Sequence, residues 1–338
     1  MIQVGIIGAG RIGRVHIQGI LSGVPNAHIR GIAAPHITDE IKTLARSAGT
    51  EILTQDFRVL LRDSRIDAVL ICSPTSTHAD ISVEALQAGK HVFCEKPVDL
   101  GLVKIQTVID AAAVSGVKYQ VGFNRRFDHN YQALHRAVSS GQVGQVQMVK
   151  ICSRDSEPPT PKFIPSSGGL FLDMTVHDLD MVRFLSGSEV EEVYAAGSVL
   201  VDEAIGRAGD VDTAAVMLRL ESGALALIDN SRRAVYGYDQ RAEVFGSLGC
   251  VSIDNDTPST AVLSTAGGVI SEKPHWFFLE RYLPAFQEEV RQFIDAVAND
   301  YPVPVGAEDA RKATLLAMAC TRSARERRPV RMDEFQTM

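Results

Sequence analysis

Along roughly the first 120 residues, short and continuously apolar runs alternate with longer stretches whose apolar positions recur three and four residues apart. The runs Ile2–Ile7, His28–Ala33, Ala68–Cys72, His91–Cys94 and Lys118–Val121 predict strands, and residues 11–22, 38–48, 56–62, 77–88 and 100–115 predict helices. Unbroken apolar character, without alternation, belongs to strands buried on both faces, so these elements predict an α/β, doubly wound parallel sheet covered by helices. The pattern changes near Gly122. A helix over 125–140 leads to a strand at 146–152, then the loop "SEPPTPKFIPSSGG", then "GGLFLDMTVHDLDMVRFL" (Gly168–Leu185). Strand-like runs follow near 190–200, 211–220, 224–231, 241–246 and 249–253, with connections short enough for antiparallel pairing, and helices at about 281–299 and 306–326 close the chain. Two domains are expected, 1–121 and an α+β unit over 122–338, with the final helices able to pack back on the first.

Bulk properties remove several function classes. A net charge of −7 over 338 residues gives no basic footprint, so nucleic acid is not an expected partner. No apolar run approaches the roughly 18–20 residues that span a bilayer, so no membrane partner is expected. With a strand predicted from Ile2 onward, no signal peptide is expected. Five cysteines (72, 94, 152, 250, 320) are scattered through the chain without metal-type spacing. They are expected to be reduced thiols of a cytoplasmic protein.

The first strand runs into "GAGRIG", Gly8, Gly10 and Gly13, and a helix follows at once. In that strand–turn–helix setting the fingerprint predicts a dinucleotide-binding Rossmann domain. The first glycine allows the tight turn, the second lets backbone approach a pyrophosphate, and the third lets helix and strand pack closely. About 20 residues on, where an acid ordinarily binds the adenosine ribose, the chain carries Ala33 and Ala34 in "GIAAPHITDE". Nothing there repels a 2′-phosphate, and Arg11 and His36 are candidates to meet one, so the expected cofactor is NAD or NADP. Downstream, "HVFCEKPVDL" puts Glu95, Lys96 and Pro97 at a strand's carboxyl end, where doubly wound sheets hold ligands. Pro97 disfavours helical geometry at Lys96 and fixes the direction in which the lysine leaves the strand. The loop "SPTSTHAD" (Ser73–Asp80) ends the preceding strand and is placed to meet the cofactor.

Read at roughly 100° per residue, Gly168–Leu185 carries Asp173, His177 and Asp180 on one stripe. Leu170, Met174 and Met181 flank it on one side, and Leu172, Val176 and Leu179 on the other. A helix apolar nearly all round is buried, and unpaired buried charge is costly, so the stripe is expected to line a cleft. Two other readings stand beside this one. His177 could be a core histidine capped by Asp180, or the three residues could bind a metal, although no second His or Cys cluster supports that and no metal is expected.

Taken together, the glycine fingerprint, the S-P-T-x-x-H loop, E-K-P and G-G-x-x-x-D-x-x-x-H-D-x-D resemble the Gfo/Idh/MocA oxidoreductase family over nearly the whole chain. The inositol-oxidising branch is the nearest match, through "GFNRRFD", "SGGLFLDMTVHDLDM", "YGYDQRAEVFGS" and "FFLERY". The resemblance implies an open, mostly antiparallel sheet in the second domain and a homo-oligomer, dimer or tetramer. It also implies NAD(P)-dependent oxidation of a secondary hydroxyl of myo-inositol, or a close isomer, to the 2-keto product. A sugar or other cyclic-polyol dehydrogenase, a non-catalytic dinucleotide sensor, and retro-aldol or glycosidase chemistry on a tightly held NAD are the alternatives. Oxidising an alcohol requires removing a proton from oxygen and a hydride from carbon. His177 is the expected base, Asp173 its orienter, and Lys96 the cation that holds the reacting oxygen, while Asp180 is expected to be structural. Cofactor contacts are expected at Gly8, Gly10, Arg11, Ile12, Gly13, Ala34, Ser73, Pro74, Thr75, His78, Glu95 and Lys96. Substrate contacts are expected at Lys96, Asn124, Arg126, Arg154, Asp155, Asp173, His177 and Tyr238.

Overall fold

A computed structural model describes residues 1–335 of the chain. They form two compact units, Met1–Phe127 with Leu283–Lys312, and Asp128–Tyr282 with the chain from Ala313 onward.

The first unit alternates β1 (Ile2–Ile7), α1 (Arg11–Gly23), β2 (Ala27–Ala33), α2 (Asp39–Ser47), β3 (Ile52–Thr54), α3 (Arg58–Arg62), β4 (Ala68–Ile71), α4 (His78–Gln87), β5 (His91–Glu95), α5 (Leu102–Ser115) and β6 (Tyr119–Gly122). All six strands pair in parallel in the order β3-β2-β1-β4-β5-β6. That is the doubly wound order in which ligands settle at the carboxyl ends, where the strand order reverses beside β1. The apolar runs form strands because both faces are covered: Val4, Ile6, Leu70 and Phe93 are fully buried. β3 escaped the sequence pattern, being three half-buried residues long.

The chain divides after Phe127, not after residue 121, for two physical reasons. A 3-10 turn over Asn124–Phe127 prolongs β6 with four buried residues. In addition, Val290, Phe293 and Ile294 of a later helix sit in the same apolar core as Val4, Ile6 and Phe93.

The second unit runs α6 (His129–Ser139), β7 (Val146–Arg154), α7 (Ile164–Ser167), α8 (Val176–Ser186), β8 (Val190–Ser198), α9 (Glu203–Arg207), β9 (Thr213–Leu220), β10 (Leu225–Ser231), β11 (Asp239–Gly246), β12 (Gly249–Ile253) and the hairpin β13 (Val262–Thr265) and β14 (Gly268–Ser271). The helices α10 (Phe278–Asn299) and α11 (Ala307–Glu326) follow, each crossed by a unit boundary, and β15 (Val330–Arg331) ends the order. The sheet reads β12-β11-β7-β10-β9-β8-β15 and is antiparallel except for the parallel pair β7–β10. Alternation is clean, as a sheet with one covered face requires: along β7, Val149, Ile151 and Ser153 are buried while Lys150 is exposed.

Gly168–Leu185 is not one regular helix. Phe171–Thr175 winds as a π-helix, and the α-helical winding starts at Val176. Such wide turns inside helices recur at functional sites, and this one carries Asp173.

Candidate active site

In the first unit, the glycine turn has the geometry a dinucleotide needs. Gly8 has φ +98°, the left-handed region that favours glycine, and a Cβ there would lie 2.6 Å from the Ser73 nitrogen. A Cβ on Gly13 would lie 2.0 Å from the Gly8 carbonyl oxygen. At Gly10 a Cβ would meet nothing within 4 Å, so the space in front of the helix is open. No side chain caps α1, and its first turn holds no acid. An uncapped helix start facing open space fits a pyrophosphate. Arg11 is exposed and Ile12 half-buried beside it.

Ser73 thus abuts the turn through its backbone, and Pro74 and Thr75 follow it, Pro74 exposed and Thr75 half-buried. At the end of β2, Ala34 is 4% exposed and its N–H donates to the Thr54 carbonyl at 3.0 Å. No carboxylate takes the ribose-binding position there.

His78 is 2% exposed, with Nδ1 2.8 Å from the Pro97 carbonyl and Nε2 2.7 Å from that of Ser73. Two carbonyl acceptors require two N–H donors, so the ring is an imidazolium. Burial works against that charge, but Cys94 and the two carbonyls outweigh it and raise the pKa to about 9. The histidine expected to meet the cofactor therefore ties the loop after β4 to the loop after β5. Glu95 ends β5, 8% exposed, and Lys96 follows it half-buried. Asn124 and Arg126 lie in the turn after β6, 5% and 7% exposed. Arg126 donates to Asp309 at 3.0 Å and to the Pro304 carbonyl at 3.4 Å.

The second unit assembles a different set. β7 and β10 run in parallel with Arg154 opposite Ser231, so both strands end together and place Asp155 beside Arg232. The Arg232 guanidinium donates to Asp155 at 3.2 Å and to Asp173 at 2.9 Å. It is 4% exposed, and although burial opposes its charge, Asp173 and Asp155 hold its pKa above the ordinary arginine value. Nearby, Thr175 donates to the Asn230 side chain at 2.6 Å, and Asn230 donates to Asp178 at 2.8 Å. These buried bonds anchor the π-turn and the start of α8 to β10.

Asp173 and His177 remain half-buried, while Asp180 is 1% exposed with Arg183 3.8 Å away. The stripe read from the sequence therefore divides. Two members are accessible and the third belongs to the core. Asp173, His177 and Asp180 do not bring their ligand atoms together as a metal set.

Arg154 is placed elsewhere. It lies on the opposite face of the sheet from Ser153, paired with Asp229 at 2.8 Å and donating to the Tyr236 hydroxyl at 3.1 Å. Tyr238 is 8% exposed and packs edge-on to Tyr282, with ring centroids 5.9 Å apart. Sequence reasoning missed Arg232 and Asn230, because a strand end has no periodic signal and "NSRR" reads as an ordinary turn.

A family model described as an oxidoreductase family with an NAD-binding Rossmann fold matches residues 2–123, and one described as the GFO/IDH/MocA C-terminal domain matches 131–252. The chain is 46% identical to the myo-inositol 2-dehydrogenase of Thermotoga maritima, covering 98% of this chain and 99% of that one. It is 42% identical to the inositol 2-dehydrogenase of Rhizobium meliloti, covering 97% and 98%. Among solved structures, a scyllo-inositol dehydrogenase from Lactobacillus casei with bound NAD(H) and scyllo-inositol superimposes with a TM-score of 0.91, at 30% identity and 98% and 99% coverage.

Proposed function

The chain belongs to the Gfo/Idh/MocA oxidoreductase family, and from that premise we propose that it is an NAD-dependent inositol 2-dehydrogenase, oxidising a secondary hydroxyl of myo-inositol or a close isomer to the ketone. The observation that carries this is the half-buried pair of Asp173 on the π-turn and His177 in the first turn of α8, together with a glycine turn left open at Gly10. Gly8, Gly10, Gly13 and the amino end of α1 would hold the dinucleotide's phosphates, with the backbone of Ser73–Thr75 beside them. When bound, the nicotinamide supplies the hydride acceptor.

The chain's own residues do the rest. His177 takes the hydroxyl proton, since an unperturbed imidazole titrates near working pH. Asp173, fixed by Arg232, orients the hydroxyl or the imidazole and stabilises the imidazolium that forms. Lys96 holds the reacting oxygen and stabilises the negative charge that builds on it. Asp155, held by the same Arg232, is an acceptor for a neighbouring substrate hydroxyl.

The exposed face of the second unit's sheet supports an oligomer. Tyr194, Met217 and Leu227 are register partners across β8, β9 and β10 and are 39%, 47% and 42% exposed. Phe245 on β11 is 46% exposed. The apolar row across β8, β9 and β10 supports an interface, and a second copy of the chain is the proposed occupant, as a dimer or tetramer. Its place is the cytoplasm, with five cysteines as thiols.

The test is a polyol panel with NAD and with NADP, followed as reduced-cofactor absorbance. Turnover of an inositol is expected, and the missing acid after β2 predicts measurable NADP use. No turnover with any inositol rejects the assignment, and a thousandfold preference for NAD rejects the NADP tolerance. Light scattering on Met217→Lys should show a smaller species than the parent.

A further inference from the structure

Lys96 is the one cation of the first unit given a role in the chemistry above, and its neighbours on both sides are held by buried histidines. Glu95 precedes it. The Glu95 Oε1 lies 2.6 Å from Nε2 of His16, which is 1% exposed on α1 and packs edge-on against Phe93 and Phe286 at 5.2 Å and 5.8 Å. Pro97 follows Lys96, and its carbonyl accepts from His78. Gly122, opposite Glu95 in the sheet, leaves room for this arrangement: a Cβ there would lie 3.1 Å from Glu95 Oε2.

Behind the pair stands Glu289 of α10, wholly buried, with an oxygen 4.0 Å from His16 Nε2 and no hydrogen-bond partner for either oxygen among the described residues. Burial, and then the Glu95 carboxylate, push its pKa well above the ordinary range.

His16, Glu95 and Glu289 bring their ligand atoms within 4.8 Å of one another, which raises a metal as a rival. The 2.6 Å separation argues for a shared proton instead. Two ligands on a tetrahedral ion with bonds of about 2.0–2.1 Å stand roughly 3.3 Å apart.

Resting on the role given to Lys96, we propose that His16 and His78 are positioning residues: they pin Glu95 and Pro97, and so fix the point from which the lysine ammonium reaches the reacting oxygen. A lysine side chain has four flexible carbons, so where its ammonium can reach depends on where the chain starts that stem. Glu95, held by its carboxylate, and Pro97, held by its carbonyl, set that starting point from both sides. Neither histidine touches substrate in this scheme.

The experiment is a double-mutant cycle on the full-length chain with NAD and myo-inositol. His16→Leu removes the donor, and His16→Gln keeps an N–H where Nε2 stood. The expected result is a fall in kcat of about tenfold for His16→Leu with the NAD dissociation constant within about twofold, and recovery to within about threefold of the parent in His16→Gln. In a Lys96→Ala background, His16→Leu should cost nothing further, because the residue it positions is gone. A folded His16→Leu with parental kcat overturns the proposal, as do losses that multiply independently of Lys96→Ala. Should His16→Leu fail to fold, His78→Leu runs the same cycle with the same two outcomes. A parent enzyme without inositol turnover rejects the assigned function itself and takes this proposal with it, an outcome distinct from an active parent with unaffected variants.

Discussion

Between Gly8 and Gly13 the protein prepares for a ligand by leaving side chains out, whereas around Asp173 it prepares by packing charged ones in. In the first case the chemistry belongs to the backbone: a left-handed Gly8, a Gly13 pressed against the Gly8 carbonyl, and open space at Gly10. In the second, a guanidinium with 4% exposure holds two carboxylates that come from a strand end and a π-turn. The first arrangement is local and, at Gly8 and Gly13, tolerates nothing larger than hydrogen. The second is assembled from residues 155, 173 and 232, and depends on two parallel strands ending in register.

The largest expected effect falls on the chemistry alone. Lys96→Ala or His177→Ala should lower kcat by on the order of several hundredfold while cofactor affinity is largely kept. Loss of NAD binding in either, measured by fluorescence titration, would show that the roles are misassigned.

The glycine side of the comparison can be split within itself. Gly13→Ala drives a Cβ to 2.0 Å from a backbone oxygen and should destabilise the fold by about 1–3 kcal/mol or more in thermal unfolding. Gly10→Ala meets no protein atom within 4 Å, so its Tm should hold while the NAD dissociation constant rises about tenfold or more. Equal effects on Tm would mean that Gly10 is a packing residue.

On the charged side, Arg232→Met leaves Asp155 and Asp173 facing each other without their shared cation. The kcat should fall about tenfold and the Tm by several degrees, with partial recovery in Arg232→Lys. An unchanged kcat would remove Arg232 from the site.

The smallest effect is a pH slope. His78 has its pKa raised above the unfolded value of about 6.5 to about 9, so its contribution is complete below pH 6.5 and is lost as the pH rises through 9. The Tm of the parent should decline by a few degrees across that window, and more steeply than that of His78→Gln. Parallel curves would mean that the ring is neutral.

Backbone-built features were legible in the sequence because they restrict residue type. Only glycine fits at Gly8, and the uninterrupted apolar runs could pair only as doubly covered strands. Asp173 and His177 were legible because charge inside an apolar helix is conspicuous. The π-turn was not, since a change of winding leaves no mark in apolar spacing; Asp180 shares the 100° stripe but was expected to be structural, and it is buried. Arg154 misled for a related reason. Arg154 is the last residue of β7 and pairs with Asp229, whereas Asp155 lies just beyond the strand and meets Arg232, so adjacency in the chain did not give them the same surroundings. Arg232 stayed hidden because its value lies in partners 59 and 77 residues away.

Val290, Phe293 and Ile294 complete an apolar core whose other buried members all lie before residue 95. A nascent chain that had left the ribosome only as far as Phe127 would therefore carry a sheet with one flank bare. It would need a chaperone, or time, until the segment Leu283–Lys312 had emerged to cover it.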